Sequence, residues 1–286
     1  MTLAAESDYG WVSKMTDSVY IHTVWNSKSP DPSGWKSGKK TVIKTVVKTG
    51  NKMGSQVYLE KERDILKKLG AGPGGYGIPT VLDYQFGGYQ ELGLSYPCLA
   101  LSYAPGMDMY DYIWADGESH IPIDKIRSIF KRIVEIVEYA HSFGVYHRDI
   151  KAENVIYDPI TEKVTLIDWE FAECVEKQPE EASGTCSYAA PEVLERKHFG
   201  PINDVWSLGV LLFAMTTKSF PIASDGTDGS IDWYSLRNFL IEWDNEHLLP
   251  EVKTVLKKIF VPYDKRITST QLAKDSFFAS LSTTLE

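Results

Sequence analysis

The chain has 286 residues, and 43% of them are hydrophobic, which is enough to form the core of one large or two small globular domains. The formal net charge of −9 argues against a nucleic-acid partner and favours cationic partners. No apolar run approaches the length of a membrane helix, and the chain does not start with a basic and then apolar leader, so we expect an intracellular protein, cytoplasmic or nuclear, without a membrane partner.

Two strands and one helix are predicted in the first third of the chain. Residues 19–24 and 41–47 are rich in β-branched residues, and a Pro-, Gly- and Ser-rich loop separates them. Residues 56–69 have apolar residues at helical spacing, and Gly70 follows where a helix can end. Lys44 and Lys48 would lie on the same face of the second strand, because side chains alternate along a strand.

Two further elements lead to the middle of the chain. Residues 99–108 form an apolar strand that runs into a Pro-Gly turn. Residues 123–143 have apolar residues every three or four positions, which predicts an amphipathic helix that ends before Gly144. His141 lies near the end of this helix, and we expect it to be a capping or core histidine rather than a catalyst.

Residues 146–154 read Tyr-His-Arg-Asp-Ile-Lys-Ala-Glu-Asn, which is an unusual concentration of reactive side chains. The apolar residues 155–157 and 164–167 predict two short strands around a turn at Asp158, and Asp168 follows the second strand. Polar residues on both sides of this hairpin would therefore lie close together.

Phosphoryl transfer to a hydroxyl needs four types of group. A carboxylate orients the hydroxyl and accepts its proton, an amide and a second carboxylate hold Mg²⁺, and a cation lies near the phosphate. The hairpin carries all four types, as Asp149, Asn154, Asp168 and Lys151.

Residues 147–154 resemble the H-R-D-x-K-x-x-N loop of the eukaryotic protein kinase superfamily. Residues 184–192, Gly-Thr-Cys-Ser-Tyr-Ala-Ala-Pro-Glu, resemble the G-T-x-x-Y-x-A-P-E end of the kinase activation segment. Residues 204–210 resemble the buried central helix of the large kinase lobe, and residues 264–268 resemble the segment whose arginine pairs with the glutamate of A-P-E. The resemblance covers residues from 19 to 278, so we expect one minimal kinase domain.

This resemblance implies an α+β, bilobal protein kinase fold over residues 1–286. Residues 1–103 would form a small lobe of antiparallel sheet with one helix, and residues 104–286 a large, mainly helical lobe, with ATP between them. ATP and Mg²⁺ would be the cofactors, a protein would be the substrate, and the enzyme would be a monomer.

The resemblance also implies roles for single residues. The lysine that holds the nucleotide phosphates would be Lys44, with Lys48 as its rival, and the helix glutamate that pairs with it would be Glu62, with Glu60 as its rival. The implied catalytic residues are Asp149, Lys151, Lys44 and Glu62. The implied nucleotide-binding residues are Lys44, Val19, Val42, Leu101, Ala104, Asp108 and Ile156. The metal would be held by Asn154 and Asp168, and the structural residues would be His147, Arg148, Trp169, Glu192, Asp204 and Arg266.

The sequence departs from the family in two motifs. The glycines of the nucleotide-binding loop would fall at Val12, Lys14 and Asp17, so this loop would cover ATP differently or poorly. After the metal-binding aspartate, Trp169 and Glu170 replace Phe and Gly. Glu170 would either ligate the metal or mark a damaged site.

Two other hypotheses stay open. A pseudokinase that binds partners and transfers nothing would account for both departures. A kinase for small molecules fits less well, because residues 190–192 and the helix after them resemble the platform on which protein substrates lie.

On the substrate side, Lys151 and Thr185 match the serine/threonine pattern rather than the tyrosine pattern. Three acids match positions where arginine-directed kinases of the calmodulin-kinase and Pim-like group place carboxylates, namely Asp108, Asp111 and Glu153. We therefore expect a Ser or Thr substrate with basic residues before the acceptor. The alternatives are that Asp108 serves only the ribose and that Asp111 only begins a helix.

A regulatory role is implied for Glu181. In many kinases a phosphorylated residue at this position, four before the threonine of G-T-x-x-Y, pairs with the arginine of H-R-D, which is Arg148 here. Glu181 would then replace the phosphate; equally, Glu180 and Glu181 would be solvated loop charges.

The cysteines Cys98, Cys174 and Cys186 are odd in number and irregular in spacing, which predicts neither a disulfide framework nor a zinc site. Unpaired cysteines fit a reducing compartment. We expect all three to be ordinary packing residues.

Overall fold

The structure is a computed structural model that describes residues 2–7, 10–14, 19–24, 40–45, 52–70, 76–88, 96–115, 120–175, 184–222 and 232–283. The chain folds into two compact units, Met1–Pro105 and Gly106–Glu286. This boundary lies two residues beyond the predicted one.

The first unit contains a six-stranded sheet and one helix. The strands are β1 (Thr2–Ser7), β2 (Gly10–Lys14), β3 (Val19–Val24), β4 (Lys40–Thr45), β5 (Val81–Gln85) and β6 (Cys98–Ser102), and the helix is α1 (Lys52–Gly70). The strand order is β1-β2-β3-β4-β6-β5, and every neighbouring pair is antiparallel. The predicted strands and helix are confirmed as β3, β4 and α1, whereas β1 and β2 were not predicted.

Helix α1 is amphipathic, as its spacing predicted. Its apolar residues Leu59, Ile65, Leu66 and Leu69 are buried, and they fall on one side of the helix. Glu62 lies on the same side and is fully buried, which is a costly position for a carboxylate without a partner.

The second unit is mainly helical. Its helices are α2 (Met109–Trp114), α3 (Ile123–Ser142), α4 (Pro191–Leu194), α5 (Pro201–Thr217), α6 (Trp233–Arg237), α7 (Pro250–Ile259) and α8 (Ser269–Ala273). Its strands are β7 (Met107–Asp108), β8 (Val145–Tyr146), β9 (Val155–Asp158), β10 (Lys163–Leu166) and β11 (Glu173–Cys174). Strands pair in the orders β10-β9-β7 and β11-β8. The predicted helix at 123–143 and the predicted hairpin are confirmed, and so is the α+β class.

Helix α5 forms the centre of the second unit. It is buried on nearly all sides from Asn203 to Thr217, and it packs against α3, α7 and α8. A helix that is apolar around its whole circumference is stable only inside a core. Because Asp204 lies in its first turn, α5 places a carboxylate in this interior.

The prediction that all three cysteines are packing residues is wrong for one of them. Cys98 is buried in β6 and Cys174 is partly buried, but Cys186 is exposed. Among the residues that the structure describes, no helix combines the length and the hydropathy that a membrane span requires.

Candidate active site

The β9–β10 hairpin brings the predicted site residues of the second unit to one place. Val155 pairs with Leu166 across the hairpin, and the amide of Ile167 donates to the carbonyl of Asn154 at 2.9 Å. Asp168, which follows Ile167, has a left-handed backbone with φ 65°. This conformation is strained for a residue other than glycine, and it is typical of functional sites.

The Asp149 carboxylate is the centre of a hydrogen-bond network. It is only 4% exposed. Its Oδ1 accepts from the amide and the hydroxyl of Thr185 at 2.8 and 2.9 Å, and its Oδ2 lies 3.0 Å from Nδ2 of Asn154 and 2.8 Å from Nζ of Lys151. Lys151 also donates to the Thr185 hydroxyl at 3.0 Å. A buried carboxylate with four donors has a fixed position and a stabilised charge.

Thr185 reaches Asp149 because the residue before it is a glycine. Gly184 has φ 96°, and a Cβ at this position would overlap the carbonyl oxygen of Arg148. Any other residue would therefore push this segment away from the loop that carries Asp149.

The Asn154 side chain is oriented by Asp149. Its Nδ2 donates to the backbone carbonyl of Asp149 at 2.8 Å as well as to the carboxylate. The amide oxygen therefore faces away from Asp149, and it accepts no hydrogen bond from any residue in the described ranges. This oxygen and the Asp168 carboxylate are hard oxygen donors, which suit Mg²⁺. Within the described part of the chain no three His, Cys, Asp or Glu side chains are grouped to hold a metal, so Glu170 completes no three-carboxylate site there.

Asp204 supports the backbone of the loop. Its Oδ2 accepts from the amide of His147 at 2.7 Å, and its Oδ1 accepts from the amide of Arg148 at 2.9 Å. His141 lies 3.0 Å from Oδ2 through Nε2 and 2.8 Å from the Ser269 hydroxyl through Nδ1, so it is a core histidine, as predicted. Burial raises the pKa of Asp204, but the hydrogen bonds from His141 and from the His147 amide oppose burial, and this pKa stays below its usual value.

His147 is buried beside Trp169. The rings lie 4.5 Å apart in an edge-on arrangement, and Nε1 of Trp169 donates to the Leu166 carbonyl at 2.9 Å. Nε2 of His147 faces the Ile167 carbonyl at 3.0 Å and must donate, while Nδ1 accepts from the Asp149 amide at 3.3 Å. This arrangement requires a neutral ring, and burial lowers the pKa of His147 accordingly.

Glu192 and Arg266 form a buried ion pair. Nη1 and Nη2 of Arg266 lie 2.6 and 3.2 Å from the two carboxylate oxygens of Glu192. Asn203 donates to Glu192 at 2.7 Å, and the guanidinium also donates to the carbonyls of Ile259, Ile202 and Val261. The pair is therefore fully hydrogen-bonded, which a buried pair requires.

In the first unit, Lys44 pairs with Glu62 rather than with Glu60. Nζ of Lys44 lies 2.8 Å from both carboxylate oxygens of Glu62. Glu60 instead accepts hydrogen bonds from Gln56 and Tyr84, both at 3.0 Å. The structure thus assigns a different partner to each of the two glutamates that the sequence offered for Lys44.

The protein kinase domain family matches residues 34–278, which is more than half of the chain. This chain belongs to the protein kinase family. It is 38% identical over 136 residues to a protein named testis-specific serine/threonine-protein kinase 3 of Homo sapiens, with 46% of this chain and 48% of that protein covered. It is 30% identical over 188 residues to serine/threonine-protein kinase SAPK3 of Oryza sativa, with coverages of 63% and 56%. It is 32% identical over 186 residues to a protein named probable serine/threonine-protein kinase HSL1 of Saccharomyces cerevisiae, with coverages of 62% and 12%.

The kinase chain spans about half or less of the length of these relatives. The family match confirms the predicted superfamily and the kinase fold, with one sheet-containing and one helical unit.

Within each unit, most of the remaining predicted nucleotide residues lie on paired strands. In the first unit, Val19 pairs with Lys44, and Val42 pairs with Leu101, which is buried. Ala104 follows β6. In the second unit, Asp108 pairs with Ile156.

The three predicted substrate acids differ in their surroundings. Asp108 caps helix α2, since its Oδ1 accepts from the amide of Asp111 at 2.8 Å. Asp111 and Glu153 are exposed, and the elements that carry them, α2 and the turn Ala152–Asn154, pack against each other. These two carboxylates are therefore the exposed ones of the three, and the elements that carry them are in contact.

Some predictions for the kinase concern positions whose side chains are not described. Val12 and Lys14, where the family has glycines, belong to strand β2. Four other residues lie outside the described ranges, namely Asp17, Lys48, Glu180 and Glu181.

Sequence reasoning did not find the contacts that three side chains make. His141 anchors Asp204, Asn203 adds a donor to Glu192, and Tyr84 binds Glu60. The one local signal was the polar stripe formed by Gln56, Glu60 and Arg63 at i, i+4 and i+7 on the flank of α1.

Proposed function

We propose that this chain is a serine/threonine protein kinase that transfers the γ-phosphoryl group of ATP to a protein hydroxyl. The network at Asp149 carries this proposal, because a buried carboxylate is held there by a lysine, an amide and a threonine hydroxyl. The Thr185 hydroxyl shows that Oδ1 accepts a hydroxyl donor in this position. The names of the relatives, which are serine/threonine kinases, point the same way.

In the reaction, the substrate hydroxyl donates a hydrogen bond to Asp149. As its oxygen forms the bond to the γ-phosphorus, the bond from the γ-phosphorus to the β–γ bridging oxygen breaks, ADP leaves, and the hydroxyl proton passes to Asp149. Lys151, 2.8 Å from Asp149, offers a positive charge near the transferred phosphoryl group. Lys44 binds the nucleotide phosphates, and Glu62 fixes the ammonium group of Lys44.

Asn154 and Asp168 would hold Mg²⁺ through the amide oxygen and the carboxylate. When bound, Mg²⁺ neutralises charge on the phosphate oxygens. EDTA should abolish transfer, and excess Mg²⁺ should restore it.

The test of the function is incubation of the protein with radiolabelled ATP, Mg²⁺ and a generic basic protein. We expect label on Ser and Thr, and a loss of at least about 10³-fold in Asp149→Asn, because the proton acceptor is removed. Asp244→Asn, a matched change at an exposed aspartate, should leave the rate unchanged. Wild-type protein without any transfer would contradict the proposal and favour a binding module.

We also propose that the substrate carries arginine before the acceptor. Asp111 and Glu153 are exposed on adjoining elements, and a guanidinium between two carboxylates gains charge-assisted hydrogen bonds. Peptides with Arg two, three or five residues before a Ser should be compared with Ala versions. Removal of the best Arg should lower kcat/KM about tenfold, which is about 1.4 kcal/mol. Unchanged selectivity in Asp111→Asn and Glu153→Gln would contradict this preference.

A further inference from the structure

Lys44 and Tyr84 lie in one row across the sheet of the first unit. Lys44 on β4 and Tyr84 on β5 both pair with Leu99 on the strand between them, β6. Directly paired residues of antiparallel strands project to the same face, so these two side chains emerge on one face, about 10 Å apart. Leu99 is fully buried between them.

Helix α1 is attached at both ends of this row. Glu62 binds Lys44, and Glu60 and Arg63 in the same turn of the helix both contact Tyr84. The Tyr84 hydroxyl donates to Glu60 at 3.0 Å, and the Arg63 guanidinium lies 4.7 Å from the centre of the Tyr84 ring. Gln56 donates to the same oxygen of Glu60 at 3.0 Å and holds it in place.

These two attachments lie on different sides of the helix. Glu60 and Arg63 belong to one stripe, whereas Glu62 is about 200° around the axis from Glu60. The pair of Glu62 and Lys44 does not by itself fix the rotation of the helix. Both side chains are long and flexible, so they can stay paired while the helix turns about its axis. A second attachment on another side opposes that rotation.

We propose that Tyr84 is a positioning residue that fixes the rotation of helix α1 and thereby directs Glu62 at Lys44. The inference rests on the proposed function, in which the Lys44 ammonium binds the phosphates of ATP. Burial and the hydrogen bond to Glu60 raise the pKa of Tyr84 to about 12, so its hydroxyl remains a donor near neutral pH.

The first experiment separates the hydroxyl from the ring. Tyr84→Phe removes the bond to Glu60 and keeps the ring under Arg63, and Tyr84→Leu removes both. We expect KM for ATP to rise about threefold in Tyr84→Phe and about tenfold in Tyr84→Leu, with KM for the peptide unchanged. Glu60→Gln keeps an oxygen acceptor for Tyr84 and should remain near wild type. Tyr234→Phe removes the hydroxyl of a tyrosine that is 70% exposed in the other unit and should change nothing.

A double-mutant cycle tests whether Tyr84 acts through Glu62. In a Glu62→Gln background, where the charged pair is already lost, Tyr84→Leu should change KM for ATP less than about twofold. If Tyr84→Leu changes KM for ATP by the same factor in both backgrounds, the proposal is overturned. A lower kcat with an unchanged KM for ATP in Tyr84→Leu would also overturn it, because that pattern indicates partial unfolding.

A second readout does not depend on catalysis. Reductive methylation of Lys44, followed by mass spectrometry, should be slow in the wild type, where the paired side chain is 12% exposed. We expect it to be several-fold faster in Tyr84→Leu and unchanged in Tyr234→Phe. Absence of phosphoryl transfer in the wild type would contradict the proposed function alone, whereas an unchanged Lys44 methylation rate in Tyr84→Leu would overturn the role of Tyr84.

Discussion

The amide of Arg148 donates a hydrogen bond to Oδ1 of Asp204, over 2.9 Å in space and 56 residues in sequence. Arg148 has φ 70°, a left-handed conformation that costs a residue with a side chain about 1–3 kcal/mol. Asp204 on the buried helix α5 therefore holds a strained turn, and that turn sets the direction of Asp149.

The first prediction concerns this support. Asp204→Asn replaces one acceptor oxygen by a donor that faces backbone amides, so we expect the free energy of unfolding to fall by about 3–5 kcal/mol. Urea denaturation measures this loss. Asp124→Asn changes an aspartate that is 82% exposed and should cost less than about 0.5 kcal/mol. Equal small losses in both variants would show that Asp204 does not support the loop.

The second prediction concerns the ion pair of Glu192 and Arg266. Arg266→Leu leaves the buried Glu192 carboxylate without its cation, and we expect a loss of about 3–5 kcal/mol in the free energy of unfolding. The exposed pair of Arg132 and Glu135 is the comparison, and Arg132→Leu should cost about 1 kcal/mol or less. A loss below about 1 kcal/mol in Arg266→Leu would contradict the prediction.

The third prediction decides between two lysines. Lys44 pairs with Glu62, so Lys44→Ala should abolish transfer while the protein stays folded, and Asp168→Asn should do the same because it removes a metal ligand. Lys48→Ala is the matched control and should retain activity. The opposite result for the two lysines would mean that Lys48, and not Lys44, binds the nucleotide phosphates.

The fourth prediction concerns pH. Burial lowers the pKa of His147 from its ordinary value of 6.5, so the unfolded chain takes up a proton there more readily than the folded protein. The stability contributed by the neutral ring is therefore complete above this value and is lost as the pH falls below it, at up to about 1.4 kcal/mol per pH unit.

In His147→Phe this contribution is missing. Urea curves between about pH 7.5 and about pH 5.5 should therefore show a shallower decline of the free energy of unfolding in the variant than in the wild type. Parallel declines would show that His147 does not contribute.

The fifth prediction concerns regulation. If Glu181 replaces a phosphorylated residue, protein made without an upstream kinase is active and unphosphorylated between residues 176 and 183. Mass spectrometry and a transfer assay before and after phosphatase treatment check both points. Activity that disappears with the phosphatase would refute the role of Glu181.

Local sequence patterns were sufficient to predict many of the secondary-structure elements and motifs of this protein. The β-branched composition that predicted β3 and β4 and the spacing that predicted α1 and α3 depend on neighbours a few residues apart. The residues 147–154 and 184–192 could be recognised as kinase motifs because each keeps its chemical groups at short, fixed spacing. The kinase fold followed from their order along the chain.

The tertiary structure alone decided which side chains meet. Glu60 and Glu62 lie on one helix, and the resemblance favoured Glu62 as the partner of Lys44 without excluding Glu60. The contact itself depends on how α1 lies across β4 and β5, at separations of 18 and 24 residues. The burial of Asp204 against His141, the exposure of Cys186 and the attachment of α1 to Tyr84 have the same origin. A contact between distant segments depends on how whole elements pack. The periodicity of one element predicts which of its faces is buried, but it does not identify the residues that pack against that face.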